Sequence, residues 1–290
     1  MRLAFLGTPH AAVPVLEQLV RAGHDVAIVI SRPDKRRGRG SAMTASPVKL
    51  AAALLGIEVA HSLKALENLD VERGVVVAYG AIIPGAVLER VPMLNVHFSL
   101  LPRWRGAAPV ERAILAGDDV TGVSIMEIEP TLDTGPVYAS ASTSVAQKSA
   151  NELTTELSYL GAKLLVEVLA DPRVLASPKV QEGDVTYAEK LDKEEFHLQP
   201  SMSIVEVARI VRLGRAFCTV AGRRLRVLEG HVGTGTRPQG SLALDGAHVV
   251  LGTGDGAYII ESVQPEGSRI MRASEWWSGA RLDSTTTMWS

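Results

Sequence analysis

The first thirty residues constrain the fold more than any other stretch of this chain. Arg2 to Gly7 is a short apolar run ending in Gly-Thr-Pro, and Asp25 to Ile30 is a second such run. Between them, Ala11 to Ala22 carries Val15, Leu16, Leu19 and Val20 at helical spacing, closed by Gly23. Runs that stay apolar without alternation suit strands buried on both faces, which is the condition of a parallel sheet. Two parallel strands joined through a helix require a right-handed crossover, so this opening predicts an α/β fold with a doubly wound, Rossmann-like, mostly parallel sheet. The first turn, Gly7-Thr8-Pro9-His10-Ala11, lacks the G-x-G-x-x-G fingerprint and disfavours a nicotinamide dinucleotide.

At 290 residues the chain can bury a full core and is expected to form two domains. A net charge of −2 gives no global nucleic-acid signature, so any such contact must be local. The single cysteine, Cys218, leaves no intrachain disulfide and no cysteine-rich metal site, which suits a reducing compartment. Met1 runs straight into a strand-like segment and no apolar run approaches the ~20 residues of a membrane span, so a cytoplasmic location is expected. Local charge is concentrated between Ser31 and Ser46, where Arg32, Lys35, Arg36, Arg37 and Arg39 face one acid, Asp34. Such a run is most often a solvated loop, whereas the sharper reading is a polyanion contact, since clustered guanidinium groups suit phosphates. Ser46-Pro47 then starts a helix through Ala53.

Val75 to Gly80 reads as a central strand, with Ile82 and Ile83 just past its carboxyl end, where an apolar pocket wall belongs. Further along, a helix over 107–116, a strand over 122–128, an antiparallel strand over 135–142 and a helix over 151–169 are predicted. The last shows Leu153, Leu157, Leu160, Leu164 and Val168 as one apolar stripe. Asp171-Pro172 and Ser177-Pro178 mark a linker, and from Phe217 short alternating strands with Gly-rich turns suggest a small β-barrel. The expected organisation is therefore 1–170 as an α/β domain, 171–202 as linker and 203–290 as an OB-like barrel domain.

The chemistry-bearing stretch runs from Met93 to Asp133. Read as a strand, Asn95, His97 and Ser99 share one face while Val96 and Phe98 take the other. Pro102 ends the ladder, and Arg103-Trp104-Arg105-Gly106 leaves it as a loop. Asp133 sits in the turn-like Thr131-Leu132-Asp133-Thr134-Gly135. Alone, His97 reads as a satisfied structural histidine and Asp133 as a turn cap; together with Asn95 they supply complementary parts for acyl-type transfer. An amide N–H can hold the oxyanion of a tetrahedral intermediate, worth ~10²–10³ in rate. An imidazole can donate to the same oxygen or carry a proton, worth ~10²–10⁴. No serine or cysteine lies in a G-x-S-x-G elbow, so direct transfer to an external nucleophile is favoured over an acyl-enzyme. There is no H-E-x-x-H and no His/Cys cluster at ligand spacing, so no metal is expected.

Asn95-Val96-His97-Phe98-Ser99-Leu100-Leu101-Pro102 with Leu132-Asp133-Thr134-Gly135 resembles the signature of the folate-dependent formyltransferases. The likeness covers nearly the whole chain, through Phe5 to Pro9, Pro33-Asp34, Gly38-Arg39-Gly40, Ser46 to Lys49, Val76 to Gly80, Pro102 to Pro109, Thr186 to Leu191 and Thr253 to Gly256. It implies that Asn95, His97 and Asp133 are catalytic and that 10-formyltetrahydrofolate is the donor. It implies a pterin pocket walled in part by Tyr79, Gly80, Ile82 and Ile83, with Ser99, Leu100, Leu101 and Pro102 beside the donor. It also implies that the loop of Arg36, Arg37 and Arg39 meets the acceptor stem of initiator methionyl-tRNA, placing a monomer in translation initiation. The chain departs from the pattern at Phe98 and Thr131, where glycine is usual, and at Ser41 and Ala42, where lysines are common. The thinned basic loop keeps open the same transfer to a small amine, such as an amino sugar or a hydroxylated ornithine. A non-catalytic folate- or RNA-binding module is a third reading, which a complete Asn/His/Asp set argues against.

Overall fold

The apolar opening becomes β1 (Arg2–Gly7) and β2 (Asp25–Ile30), parallel neighbours in the computed structural model, which describes residues 1–36, 43–282 and 288–290. The connecting helix begins as a 3-10 turn at His10–Ala12 and becomes α-helical as α1 (Val13–Arg21), with Pro14 in its first turn. The basic segment is not wholly irregular: β3 (Lys35–Arg36) pairs antiparallel with β4 (Met43–Thr44). Arg36 lies in β3, whereas Arg37 and Arg39 lie outside the described residues. The base of this excursion is fixed by a buried 2.6 Å hydrogen bond between the Ser31 and Ser46 hydroxyls. Ser46 also caps α2 (Pro47–Leu54), its Oγ accepting from the Lys49 N–H at 3.1 Å.

Next come β5 (Val59–Ala60), β6 (Arg73–Val77), α3 (Gly85–Leu88), β7 (Met93–His97), β8 (Arg105–Gly106), α4 (Pro109–Ala116), β9 (Val120–Glu127), β10 (Val137–Ser144) and α5 (Ala150–Ala170). The main sheet has seven strands in the order β10-β9-β7-β6-β1-β2-β5. β5, β2, β1, β6 and β7 are mutually parallel, β9 runs antiparallel to β7, and β10 runs antiparallel to β9. The chain therefore builds outward from β1 on one side and then returns to build on the other. That reversal puts a topological switch point between β1 and β6, at whose carboxyl ends an open α/β sheet takes ligands.

The predicted stripe of α5 is corrected in register. Leu153, Leu157 and Val168 are buried, but Leu160 and Leu164 are only partly so, and the buried line runs through Gly161, Ala162 and Leu165. The reason is close helix–sheet approach: a Cβ at Gly161 would stand 2.6 Å from Val96 and 3.0 Å from Val123. α5 thus covers the Val96 face of β7 and leaves the opposite face to Asn95 and His97.

Two compact units result, one of residues 1–110, 120–144 and 153–189, the other of 111–119, 145–152 and 190–290. Within the stretch expected as linker, α6 (Pro172–Leu175) and β11 (Tyr187–Ala188) belong to the first unit, where β11 pairs parallel with β8. The second unit holds α7 (Ile204–Arg212), β12 (Phe217–Val220), β13 (Arg223–Val232), β14 (Leu242–Asp245), β15 (His248–Gly252), β16 (Ala257–Pro265), β17 (Met271–Arg272) and α8 (Ala273–Ala280). Its antiparallel sheet, ordered β12-β13-β16-β15-β14 with β17 on β16, packs α7 and α8 over a core that includes Tyr258, Trp277 and Trp289. This is the small barrel-type domain expected. Cys218 lies inside that core, where burial pushes its thiol up to about 12 and leaves it unreactive at neutral pH.

Candidate active site

β7 places the site because its two neighbours bury it. Asn95 pairs with Val76 of β6 and Met126 of β9, and His97 stands opposite Ser124. The strand ends at His97, so the shared polar face extends from Asn95 to His97 but not to Ser99. Ser99 is fully buried, and its Oγ donates to the Arg103 carbonyl at 2.6 Å, tying the turn that follows the strand. Ser124 ties the same turn from β9, donating to the Ser99 carbonyl at 2.8 Å and accepting from the Leu101 N–H at 3.2 Å. The Leu101–Pro102 peptide is cis, and the chain returns through Trp104 with φ +63.

That return delivers two backbone groups to His97 and Asp133. The Trp104 carbonyl lies 2.8 Å from His97 Nε2. A carbonyl only accepts, so Nε2 carries the proton and donates it there. The other nitrogen, Nδ1, is left facing Asp133 Oδ2 at 3.7 Å, with only 6% and 12% of the two side chains exposed. Nδ1 is thus the ring nitrogen that the Trp104 carbonyl leaves unengaged, and it faces the Asp133 carboxylate. The same Oδ2 accepts the Gly106 N–H at 2.8 Å. Asp133 has φ +51, a conformation that Asp tolerates better than most residues. Gly106 has φ +123, and a Cβ there would stand 2.7 Å from the Ala188 carbonyl, so only glycine brings its N–H to the carboxylate.

Asn95 is half-buried, and its side-chain amide has no hydrogen-bond partner among the described residues. An amide fixed by a central strand yet unengaged is a donor available to something outside the protein.

At the switch point, the Thr8 hydroxyl donates to the Tyr79 carbonyl at 3.2 Å and accepts the Arg32 N–H at 3.4 Å, tying together the carboxyl ends of β1, β6 and β2. Tyr79 and Ile83 are buried in the core cluster beneath, Gly80 is exposed, and Ile82 is 91% exposed. Burial raises the Tyr79 phenol, partly opposed by Arg32, so the ring stays neutral. The four residues therefore divide into a buried pair, Tyr79 and Ile83, and an exposed pair, Gly80 and Ile82. Leu100 and Leu101 are half-buried and Pro102 is buried.

Four participants escaped the sequence: the Trp104 carbonyl, the Gly106 N–H, Gln181 and Thr186. Gln181 bonds the Asp133 turn, and Thr186 accepts the Trp104 N–H at 2.8 Å. Both come from the supposed linker; Thr186 opens the Thr186 to Leu191 stretch that carries part of the family likeness, whereas no periodicity or motif marks Gln181. Among the described residues, no group of three or more His, Cys, Asp or Glu is placed to hold a metal ion. None of the described helices is long and apolar enough to cross a membrane.

Comparison with known proteins bears on both units. A family described as formyl transferase matches residues 1–169, and one described as formyl transferase, C-terminal domain, matches 190–281. A methionyl-tRNA formyltransferase of Novosphingobium aromaticivorans is 49% identical over 246 residues, covering 80% of this chain and 82% of that protein. One from Jannaschia sp. is 44% identical over 305 residues, covering 99% of this chain and 100% of its own. Among solved structures, HypX from Aquifex aeolicus in complex with tetrahydrofolic acid has the same fold, with a TM-score of 0.70 at 18% identity over 95% of this chain and 46% of that one.

Proposed function

The chain belongs to the formyltransferase family, and we propose that it transfers the formyl group of 10-formyltetrahydrofolate to the α-amine of methionyl initiator tRNA. The observation that carries this reading is the unengaged Asn95 amide beside a His97–Asp133 pair at the end of a central strand. Full-length relatives that bear the methionyl-tRNA name support the acceptor.

In this reading the amine nitrogen attacks the formyl carbon, and the carbonyl oxygen takes up the electron pair. The Asn95 amide N–H stabilises that oxyanion. The oxyanion then returns its electron pair to re-form the carbonyl as the bond to the folate nitrogen breaks, releasing tetrahydrofolate. The amine loses one proton and the folate nitrogen gains one. His97 Nδ1 and Asp133 are the groups that carry it, because Nε2 is committed to Trp104. Tyr79, Gly80, Ile82, Ile83 and the 99–102 turn line the folate side. Arg36, Arg37 and Arg39 meet the tRNA backbone, and the enzyme works as a cytoplasmic monomer.

A transfer assay with 10-formyltetrahydrofolate and methionine-charged initiator tRNA, with uncharged tRNA as control, tests the proposal. Formylation of the charged tRNA alone is expected. No transfer to tRNA, with an amino sugar or hydroxylated ornithine accepted instead, would assign a small-amine acceptor and overturn it.

The basic loop makes a separate prediction. Arg39→Ala is expected to raise the KM for tRNA and to lower the slope of log affinity against log salt by about 0.7–0.9, the loss of one phosphate contact. Folate binding should be unchanged. An unaltered salt slope would remove the loop from the acceptor interface.

A further inference from the structure

Residues 179–188 contact Arg105 and also Trp104 and Gly106, the residues whose backbone groups hold the His97–Asp133 pair. Lys179 and Val137 exchange both backbone hydrogen bonds, at 2.7 and 2.8 Å, anchoring the segment beside the Asp133 turn. Thr186 holds Trp104 through its Oγ1 and holds Arg105 through its carbonyl, which accepts the Arg105 N–H at 2.9 Å. Tyr187 and Ala188 then pair with Arg105 and Gly106. The carbonyl that orients His97 and the N–H that orients Asp133 are thus both fastened to this one strap.

Gln181 is the node of the strap. Its Oε1 accepts from Arg105 Nε at 3.0 Å and Nη2 at 2.7 Å. Its Nε2 donates to the Asp133 carbonyl at 2.9 Å and the Gly135 carbonyl at 2.8 Å. Both ends of the amide are fully used, in a residue that is only half-buried and flanked by exposed Val180 and Glu182. Such a residue adds little to a core. What it does is lock the turn that holds Asp133 at φ +51, a conformation that persists only where its surroundings over-determine it.

We propose that Gln181 is a positioning residue for formyl transfer, clamping the Asp133 turn to Arg105 so that Oδ2 stays opposite His97 Nδ1. The proposal rests on the reading of Asp133 as part of the proton path. Glutamine is required because only an amide can accept from a guanidinium and donate to two carbonyls at once. Glutamate would keep Arg105 but turn lone pairs toward both carbonyl oxygens.

The test is a double-mutant cycle of Gln181→Met with Asp133→Asn, read as kcat and KM for both substrates. Gln181→Met is expected to lower kcat about 10- to 100-fold, the scale of a misplaced catalytic group, with each KM within about threefold. In the Asp133→Asn background it should cost almost nothing further. Two losses that multiply would show that Gln181 acts independently and overturn the clamp. Wild-type kcat for Gln181→Met beside a crippled Asp133→Asn would overturn it too, leaving the role of Asp133 standing. An active Asp133→Asn would instead remove that role and the proposal with it. Should Gln181→Met not fold, Gln181→Glu retains the Arg105 partner and lacks the donors, and the same outcomes apply.

Discussion

His97→Ala is expected to lower turnover by about 10²–10⁴-fold, the usual contribution of a positioned acid–base group. The expectation follows from where each ring nitrogen is spent. Nε2 is held by the Trp104 carbonyl at 2.8 Å, so the imidazole cannot turn away, and Nδ1 faces the Asp133 carboxylate at 3.7 Å, where the proposed proton path runs. Among the described residues, β7 and the turn that follows it hold no other histidine or cysteine to take over. The variant also removes the hydrogen bond from Nε2 to the Trp104 carbonyl, which costs about 0.5–1.5 kcal/mol of stability. The fall in activity must therefore be measured on folded protein, by single-turnover formylation alongside a thermal melt and folate titration. His97→Gln is a second check, since it restores a donor to Trp104 without restoring the proton carrier. Turnover near wild type in either variant, with folate still bound, would eliminate the proposed proton path.

The parts of this site differ in how far the sequence revealed them, and the difference is physical. Asn95 and His97 were legible because alternation along a strand places polar side chains on an otherwise apolar element. β1, β2 and β6 were legible because doubly buried strands read as largely apolar runs. Asp133 was legible only in combination with Asn95 and His97, since an Asp in a turn is ordinary. Ser99 was read as part of the polar face, but its hydroxyl is consumed by the Arg103 carbonyl. The clamp was invisible for a different reason. Gln181 acts on the Asp133 and Gly135 carbonyls 48 and 46 residues away, and Thr186 on the Trp104 N–H 82 residues away, and backbone partners leave no residue-type signature. Gly161 broke the α5 stripe for a related reason: a glycine that permits close packing is not apolar by any count, yet it sits at the centre of the buried face. α7 could have been found, because Ser203 and Glu206 form a capping box ahead of an apolar run.

Asn95→Ala is expected to lower turnover by about 10²–10³-fold, the loss of one oxyanion donor. Its signature should separate it from His97. The Asn95 amide has no partner among the described residues, so removing it orphans nothing, and stability should change by no more than about 0.5 kcal/mol. A mid-sheet asparagine kept for structure would be hydrogen-bonded to its neighbours, and its loss would lower the melting point. Because the donor acts on charge that develops only in the transition state, kcat should fall while the KM values for folate and tRNA stay close to wild type. Asn95→Asp should be at least as impaired, since a carboxylate there repels the oxyanion that the amide attracts. Steady-state kinetics on the alanine variant, paired with its melting curve, decides the matter. A large drop in melting point with kcat preserved would make Asn95 a structural residue and leave the oxyanion without its donor.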